Sequence, residues 1–448
     1  MPALERLATA LENIGHDPIV LSGVVEQAVA NERWIAGLSE HAALGDQILI
    51  DHREGTAVGS VVRVDTEHVV ATLAEHRSGG FLGARAHLEG PLRLHPHTSW
   101  LGRVVDALGR PLDGQDPPKR GTARAVDAPP PAALMRLPLS KGVRTGVKAV
   151  DIFAPLVEGQ RVGVFAGSGV GKSTLLGMVA AAADFDVVVA SLVGERGREV
   201  NEFLSGPLSA HKDKTVTVVA TGDETALMRR LAPMTAMTIA EYFRDEGQRV
   251  LLVLDSLTRF AHAARDVALA AGEPPVARGY PPSVFSELTR LVERAGRADG
   301  EGCITALLAV LVDGDDLDEP VADAARGSLD GHIVLSRAIA EAGRFPSVDP
   351  LASLSRLADR AFRPDEWELS RRLRALIARY EDTRDLRLLG GYRPGSDAEL
   401  DRAVEIVPTI YEALRQTPAD PPSPDAFAEL ASLLVAQQDA GEQGSSSA

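Results

Sequence analysis

Hydrophobic positions follow four successive patterns along the chain, and the first is a short helical one. Over residues 3–14 the apolar side chains recur every three or four positions: they are Leu4, Leu7, Ala8, Leu11 and Ile14. This spacing predicts an amphipathic helix within residues 1–17. A lone helix of this length is marginal in water, so its apolar face is expected to bind either a partner or the protein's own next domain.

The second pattern, over residues 18–95, is typical of β-structure. Short apolar runs alternate there with turn-rich segments such as HREGT and RSGG. The runs cover residues 19–21, 47–50, 59–64 and 68–73. Several short strands at this spacing predict a small all-β domain, which we expect to be a barrel.

The third pattern, over residues 96–363, consists of uninterrupted apolar runs with helical stretches between many of them. These runs are residues 161–165, 186–192, 215–219, 250–254, 304–311 and 332–335. Strands that are apolar on both sides are buried on both faces, as in a parallel sheet covered by helices. This region is therefore predicted to be an α/β domain with a mainly parallel sheet.

The last pattern is helical and covers residues 364–436. Ser396 and Glu399 have the spacing of a capping box at the start of one of its helices. The polar, small residues of 437–448 predict a disordered tail.

Composition and charge narrow the class of protein. The 448 residues suggest about three domains. The net charge of −16 argues against a nucleic-acid partner, which needs a basic surface. The single cysteine, Cys303, excludes an internal disulfide, and the sequence contains neither a run of about 18 apolar residues nor a secretory signal. We therefore expect a cytoplasmic protein.

The segment AGSGVGKST, residues 166–174, departs from the phosphate-binding pattern G-x-x-x-x-G-K-[ST] only at Ala166. It lies between a predicted strand and a predicted helix, where alanine is acceptable at the strand end if its φ is negative. Backbone N–H groups at the helix start can hold phosphates, Lys172 can reach the β and γ oxygens, and Ser173 can hold Mg²⁺. The predicted nucleotide-binding residues are Gly167, Ser168, Gly169, Val170, Gly171, Lys172, Ser173 and Thr174.

Charged residues follow two other predicted strands. Asp255 ends VLLVLD, where an aspartate either orders Mg²⁺ or serves a turn. Glu195 and Arg196 follow VVVASLV, where a carboxylate can polarise an attacking water. A charge cluster that caps the next helix explains the same two residues, and the pattern alone leaves both interpretations open.

Longer segments resemble the hexameric rotary-type ATPases of the F1/V1 superfamily, and within it the flagellar type III protein export ATPases. The resemblance covers residues from about 20 to 435. Its segments are GERGREVNEFL, DSLTRFAHAAR, GEPPVARGYPPSVF, LVERAG, DEPVADAARGSLDGHIVLSR and LGGYRPGSD. It implies an N-terminal β-barrel, a RecA-like ATPase core and a C-terminal helical domain.

The resemblance also implies roles for individual residues. Glu195 matches the water-activating glutamate, Arg196 its neighbour in the nucleotide site, and Arg259 the arginine that positions the glutamate. Arg356 matches an arginine finger that enters the active site of the adjacent subunit. Phe345 matches an aromatic residue that packs on adenine, and Tyr392 is a candidate for a second ring there.

At the level of assembly, the resemblance implies a homohexamer that hydrolyses ATP with Mg²⁺ in sites shared between subunits. Hydrolysis would energise flagellar protein export through chaperone release, unfolding or delivery of substrates to the export gate. The implied partners are a stator-like regulator at the N-terminal helix, a central stalk protein, an export gate membrane protein, and export chaperones with their substrates. The implied location is the inner face of the cytoplasmic membrane.

Three other interpretations are weighed against this one. The ATPase of a virulence injectisome would use the same chemistry with other partners. An ATP synthase subunit is disfavoured by AGSG and Ser173, and by the presence of both Glu195 and Arg356 on one chain. An RNA translocase is disfavoured by the acidic charge and the 4% aromatic content, since such proteins need stacking platforms and a basic groove.

Overall fold

The structure, a computed structural model, describes residues 20–445 apart from 77, 78, 80, 207 and 313–318, and describes no side chains at 210 or 436–445. The chain divides into two compact units, one ending at Leu92 and one beginning at Arg93. The helix predicted within residues 1–17 lies outside the described residues.

The first unit is a closed antiparallel barrel, as the alternating pattern predicts. Its six strands are Leu21–Val29, Glu32–Ala36, Asp46–His52, Gly55–Val64, His68–Leu73 and Arg85–Pro91. When the strands are numbered by their order in the sequence, their order around the barrel is first, second, fifth, fourth, third and sixth, and the sixth pairs with the first. Alternate residues point inward, so that Ile35, Ile48, Ile50 and Val69 are fully buried together with Phe81.

The second unit is built on a mainly parallel sheet. Its strands, in spatial order, are Leu354–Ser355, Gly331–Leu335, Arg161–Ala166, Cys303–Leu311, Arg249–Asp255, Val187–Val193, Thr215–Ala220 and Val104–Val105. Leu354–Ser355 runs antiparallel, and so does Gly296–Arg297, which pairs with Cys303–Leu311. Two small sheets join Arg93–Leu94 to Arg124–Ala125 and Gly142–Val143 to Leu156–Val157.

Helices connect and cover these strands. They are Lys148–Phe153, Lys172–Ala180, Gly197–Ser205, Ala226–Asp245, Leu257–Ala270, Pro282–Val292, Pro320–Ser328 and Arg337–Glu341. The sheet is buried on both faces, as shown by four fully buried residues of its central strands: Val164, Val189, Leu252 and Leu307. This confirms the α/β prediction and brings the carboxyl ends of the parallel strands to one edge, where ligands bind in such sheets.

The C-terminal region is helical, as predicted. Its helices are Ala358–Ala361, Pro364–Asp382, Arg384–Leu388, Ala398–Ala413 and Ala426–Ser445. Leu373, Ile377, Val407 and Ile410 are buried, and they belong to the same apolar core as the central strands. None of the helices in the described part of the chain is long and apolar enough to span a bilayer.

Two details differ from the prediction in this region. The helix Ala398–Ala413 is capped by Asp397, whose side chain accepts from the N–H groups of Glu399 and Leu400, whereas the Ser396 hydroxyl donates to the Arg393 carbonyl. The carboxylate lies one residue closer to the helix and accepts two N–H groups, so the predicted Ser396–Glu399 box is wrong. The helix Ala426–Ser445 also extends into the predicted tail, where Gln, Ala and Glu favour helix.

Candidate active site

The phosphate loop connects the strand Arg161–Ala166 to the helix Lys172–Ala180. Ala166 pairs with Leu311 on one side and Leu335 on the other, so it is an ordinary strand residue and its Cβ is tolerated. Gly169 and Gly171 have φ of +78° and +95°, a conformation that side chains disfavour. The glycines that the backbone needs are therefore present, and the departure at Ala166 leaves the loop intact.

Lys172 begins the helix and joins two carboxylates. Its ammonium group bonds Asp255 Oδ1, and its Nζ lies 3.7 Å from Glu195 Oε1. Asp255 ends its strand and is 2% exposed, while the side chains of Lys172 and Glu195 are each 12% exposed. The structure thus brings together three residues that lie 23 to 83 positions apart in the chain.

Glu195 is the most perturbed of these groups. Burial raises the pKa of Glu195 to about 7, against the opposing effect of the Lys172 ammonium group; a hydrogen bond with Glu199 raises it further. Glu195 Oε1 is buried and has no hydrogen-bond partner within the described part of the chain. The Nε of Arg259 lies 3.3 Å from it, close enough for an ion pair but not aligned as a hydrogen bond. This carboxylate oxygen is therefore available to accept a proton from a bound molecule.

A cavity of about 260 Å³ opens beside this oxygen. It is lined by Ser173, Thr174, Leu192, Glu195, Glu199, Val200, Glu202, Phe203 and Asp255. A hydroxyl and a carboxylate are oxygen ligands of the kind Mg²⁺ prefers, and Mg²⁺ usually takes one or two carboxylates together with substrate phosphates. No cluster of three or more His, Cys, Asp or Glu residues in the described ranges can hold a metal by itself. Ser173 and Asp255 fit Mg²⁺ that arrives with a nucleotide.

Arg196 is exposed to solvent, whereas the neighbouring Glu195 is largely buried. The Arg196 side chain is 85% exposed and lies 3.7 Å from Glu199 at the start of the helix Gly197–Ser205. The Glu195 side chain, in contrast, is 12% exposed beside Lys172, and its role in activating water stays a prediction. The role of Arg196 in nucleotide binding stays a prediction.

The sequence did not single out two residues that shape the site. Gly194 has φ of +67°, and a Cβ there would lie 2.8 Å from Arg259 Cδ. Glu199 lines the cavity and is hydrogen-bonded to Glu195. The sequence signal for Gly194 was a glycine directly before a glutamate at a strand end. The signal for Glu199 was its spacing of four residues, about one helical turn, from Glu195.

Phe345 lies next to the phosphate loop. A Cβ on Gly171 would be 3.6 Å from its ring, and the Ser347 hydroxyl donates to the Val170 carbonyl at 2.6 Å. Phe345 is 44% exposed, so it offers a surface to a base. Tyr392 instead donates its hydroxyl to Asp401 at 2.7 Å, and no ring contact joins it to Phe345 within the described residues. The adenine roles of both residues stay predictions.

Arg356 lies at the opposite end of the sheet from the phosphate loop. It follows Ser355, which pairs with Gly331; Gly331 pairs with Val162, whereas the loop begins after Ala166. Four residues of parallel strand correspond to about 13 Å. The residue is exposed, and its guanidinium group donates to the Arg326 carbonyl at 3.4 Å. This placement keeps Arg356 away from its own chain's Glu195.

These features define a class: a P-loop ATPase with a parallel-sheet core, a buried glutamate beside the lysine of the phosphate loop, and an N-terminal barrel. The family model for the nucleotide-binding domain of the ATP synthase alpha/beta family matches residues 146–355, and that for the T3SS EscN ATPase C-terminal domain matches residues 362–432. The chain belongs to the family of flagellum-specific and type III secretion ATPases, and it is an ATP hydrolase.

Individual relatives agree with this assignment. The chain is 52% identical to the flagellum-specific ATP synthase of Rhizobium meliloti over 97% of this chain and 94% of that protein. It is 48% identical to the SPI-2 type 3 secretion system ATPase of Salmonella typhimurium over 73% of this chain and 76% of the relative.

A solved structure shares the architecture. The assembled ATPase EscN of the enteropathogenic E. coli type III secretion system aligns with a TM-score of 0.85 and 38% identity, covering 93% of this chain and 100% of EscN. EscN in complex with its central stalk EscO aligns with a TM-score of 0.84 and 38% identity over the same shares of both chains. The predicted order of barrel, RecA-like core and C-terminal helices is confirmed.

Proposed function

We propose that this chain hydrolyses Mg²⁺-ATP in a homohexameric ring and that hydrolysis energises flagellar type III protein export. The observation that carries the ring is the placement of Arg356. One end of the sheet holds Lys172, Glu195 and Asp255, and the other end holds an exposed arginine about 13 Å away along the strand direction. In head-to-tail packing of identical subunits, the sheet end that holds Arg356 in one chain lies against the sheet end that holds Lys172 and Glu195 in the next.

The chemistry follows from the site. Phosphate oxygens compete with Asp255 and Glu195 for the Lys172 ammonium group, and the N–H groups of the loop hold the phosphates. Glu195 then orients the attacking water and accepts its proton, while Arg259 and Glu199 fix its position. Arg356 of the adjacent subunit stabilises the charge that spreads over the γ-phosphate oxygens.

Ser173 and Asp255 would hold Mg²⁺, which would supply positive charge that offsets the charge of the phosphates. Phe345 would stack on adenine. Arg196, exposed at the rim of the cavity, would contact the nucleotide or the adjacent subunit once the ring forms.

The comparisons support the flagellar assignment over the injectisome. At nearly equal coverage, the flagellar relative of Rhizobium meliloti is 52% identical over 97% of this chain, whereas EscN is 38% identical over 93% of it. The assembled EscN supports self-association, and its complex with EscO supports a central stalk partner. A stator-like regulator at residues 1–17, an export gate membrane protein, and export chaperones with their substrates complete the proposed set of partners at the inner face of the cytoplasmic membrane.

Two measurements test this function. The specific ATPase activity of the full chain should rise cooperatively with protein concentration, and a flat specific activity would contradict a site shared between subunits. Deletion of the gene in its host should abolish swimming and filament export, with rescue by the wild-type chain. Normal motility of the deletion strain, with loss of a different secreted set, would assign the protein to an injectisome.

A further inference from the structure

A second cavity, also of about 260 Å³, lies at the end of the sheet opposite the phosphate loop. Arg161 begins its strand there, and Arg297 pairs with Cys303, the first residue of the neighbouring strand. Arginine dominates the lining. The six arginines are Arg136, Arg161, Arg244, Arg294, Arg297 and Arg360. Neither the hydrolysis chemistry nor the sequence patterns account for them.

The arginines outnumber the carboxylates that contact them. Four of the six are in ion pairs: Arg294 with Glu241, Arg161 with Asp330 and Glu293, Arg136 with Glu293, and Arg244 with Asp245. Arg297 and Arg360 make no ion pair with any described residue, and Arg360 donates to the Leu139 carbonyl at 2.8 Å. Asp245 is shared with Arg124 as well. The cavity therefore carries an excess of positive charge.

Two guanidinium nitrogens at this cavity lack acceptors among the residues that the structure describes. These atoms, Arg244 Nη1 and Arg297 Nε, are buried without a hydrogen-bond partner there, and the Arg244 side chain is only 10% exposed. A buried N–H group without an acceptor is costly, and arginine cannot escape the cost by losing its proton. An acceptor from outside the chain relieves it.

The wall of the cavity is shaped to hold Arg297 in place. A Cβ on Gly159 would lie 3.0 Å from Arg297 Cγ, so the glycine lets this side chain lie flat against the turn. The Arg297 carbonyl also accepts from the Leu137 N–H group at 3.1 Å. Planar guanidinium groups fixed in this way match the two oxygens of a carboxylate or a phosphate.

We propose that this cavity is an oxyanion-binding site for a phosphate or carboxylate group. Two sources have this chemistry: a free phosphate-bearing molecule, and an acidic side chain of a second copy of this chain. The second source rests on the proposed ring, because Arg360 lies four residues after Arg356, the residue assigned to the subunit contact. The site itself does not depend on the ring.

The first experiment measures binding of inorganic phosphate by titration calorimetry. The full chain is saturated with Mg²⁺ and a non-hydrolysable ATP analogue, so that the phosphate loop is filled, and is kept dilute enough to stay unassembled. We expect one phosphate per chain, and a Kd at least tenfold weaker for Arg297→Gln and for Arg360→Gln. The control is Arg371→Gln, an arginine with a 66% exposed side chain on the helix Pro364–Asp382, which should bind phosphate like the wild type.

The second experiment distinguishes the sources by measuring the concentration at which the chain assembles, by sedimentation velocity. If a side chain of a second copy occupies the site, phosphate and Arg297→Gln should both raise that concentration severalfold. If the occupant is a free anion, phosphate should bind the assembled and the unassembled chain alike.

Absence of phosphate binding in the wild type together with unchanged assembly of Arg297→Gln would overturn the site, as would equal phosphate affinity in Arg297→Gln. Arg297 is the more buried of the two positions, so Arg297→Gln has the greater risk of a folding defect, and the exposed Arg360→Gln is the second test of the site. The melting temperature of each variant shows whether it is folded. The concentration dependence of ATPase activity is a separate readout, so loss of the proposed function and loss of this site are distinguishable.

Discussion

Arg259 places its Nε 3.3 Å from Glu195 Oε1, and it reaches this position across the Cα of Gly194. The arginine belongs to the helix Leu257–Ala270, and the glutamate follows the strand Val187–Val193. The contact therefore links Glu195, the proposed water-polarising group, to a helix that begins two residues after Asp255. Movement of either element would displace Glu195 from the phosphate.

Replacement of Arg259 tests this coupling. Arg259→Ala should lower kcat by about 10²-fold, since a general base that is misplaced loses most of its contribution, while nucleotide binding is retained. Steady-state ATPase assays and fluorescent-nucleotide titrations measure the two properties. Arg265→Ala, on the same helix and paired with Asp266, is the control and should stay near wild-type activity. An unchanged kcat in Arg259→Ala would remove the positioning role.

A methyl group at Gly194 should have a similar effect without removing any charge. The φ of +67° and the 2.8 Å approach to Arg259 Cδ make Gly194→Ala strained, and we expect a loss of about 1–3 kcal/mol in stability with a large drop in kcat. Gly197→Ala is the matched control, because a Cβ there meets nothing within 4 Å. Denaturant unfolding and ATPase assays on both variants check this. Equal behaviour of the two variants would contradict the close approach.

Lys172→Ala should abolish hydrolysis while leaving the fold intact. The lysine is the cation that joins Asp255 and Glu195, and it is assigned to the β and γ phosphates. Circular dichroism should match the wild type, and phosphate release should fall to background. Measurable turnover in this variant would refute the phosphate-loop assignment.

Arg356→Ala should bind nucleotide normally and lose turnover by 10³–10⁵-fold, the range seen for arginine fingers. Its inactivity should be partly rescued by mixing with Glu195→Gln protein, which is inactive alone. In a mixed ring, an intact Glu195 of one variant meets an intact Arg356 of the other. Mixing of dilute, unassembled proteins before activity is measured checks this, and no rescue at any ratio would argue against a finger from the adjacent subunit.

Cys303 gives a prediction that depends on pH. Burial raises the pKa of its thiol to about 11, above its ordinary value, so the neutral thiol is the favoured form in the fold. At pH 8 a group with that pKa is thiolate in only about one molecule in 10³, compared with a substantial fraction for a free cysteine of pKa about 8.5. A disulfide-exchange reagent should thus label the native protein slowly and the denatured protein fast. Rapid labelling of the native chain would show that this end of the sheet opens.

Much of the fold follows from local sequence. Alternating runs predicted the barrel strands, and uninterrupted runs such as VVVAS and VLLVL predicted buried parallel strands, because side-chain period and burial are set within a few residues. Helix ends were less predictable. Ser396 and Asp397 are both good caps, and only the backbone geometry selected Asp397.

The same distinction, between what local sequence predicts and what it does not, applies to the active site. By itself the sequence predicted the phosphate loop, because Gly169, Gly171 and Lys172 act within one turn of chain, and it located Glu195 and Asp255 after predicted strands. Arg356 was indicated only by the family resemblance. Tertiary structure decided which of these residues meet. The parallel register places Asp255 and Glu195 at the edge that carries Lys172, and it places Arg356 and the six-arginine cavity at the other. Contacts between groups tens of residues apart depend on strand order and burial, which no local pattern encodes.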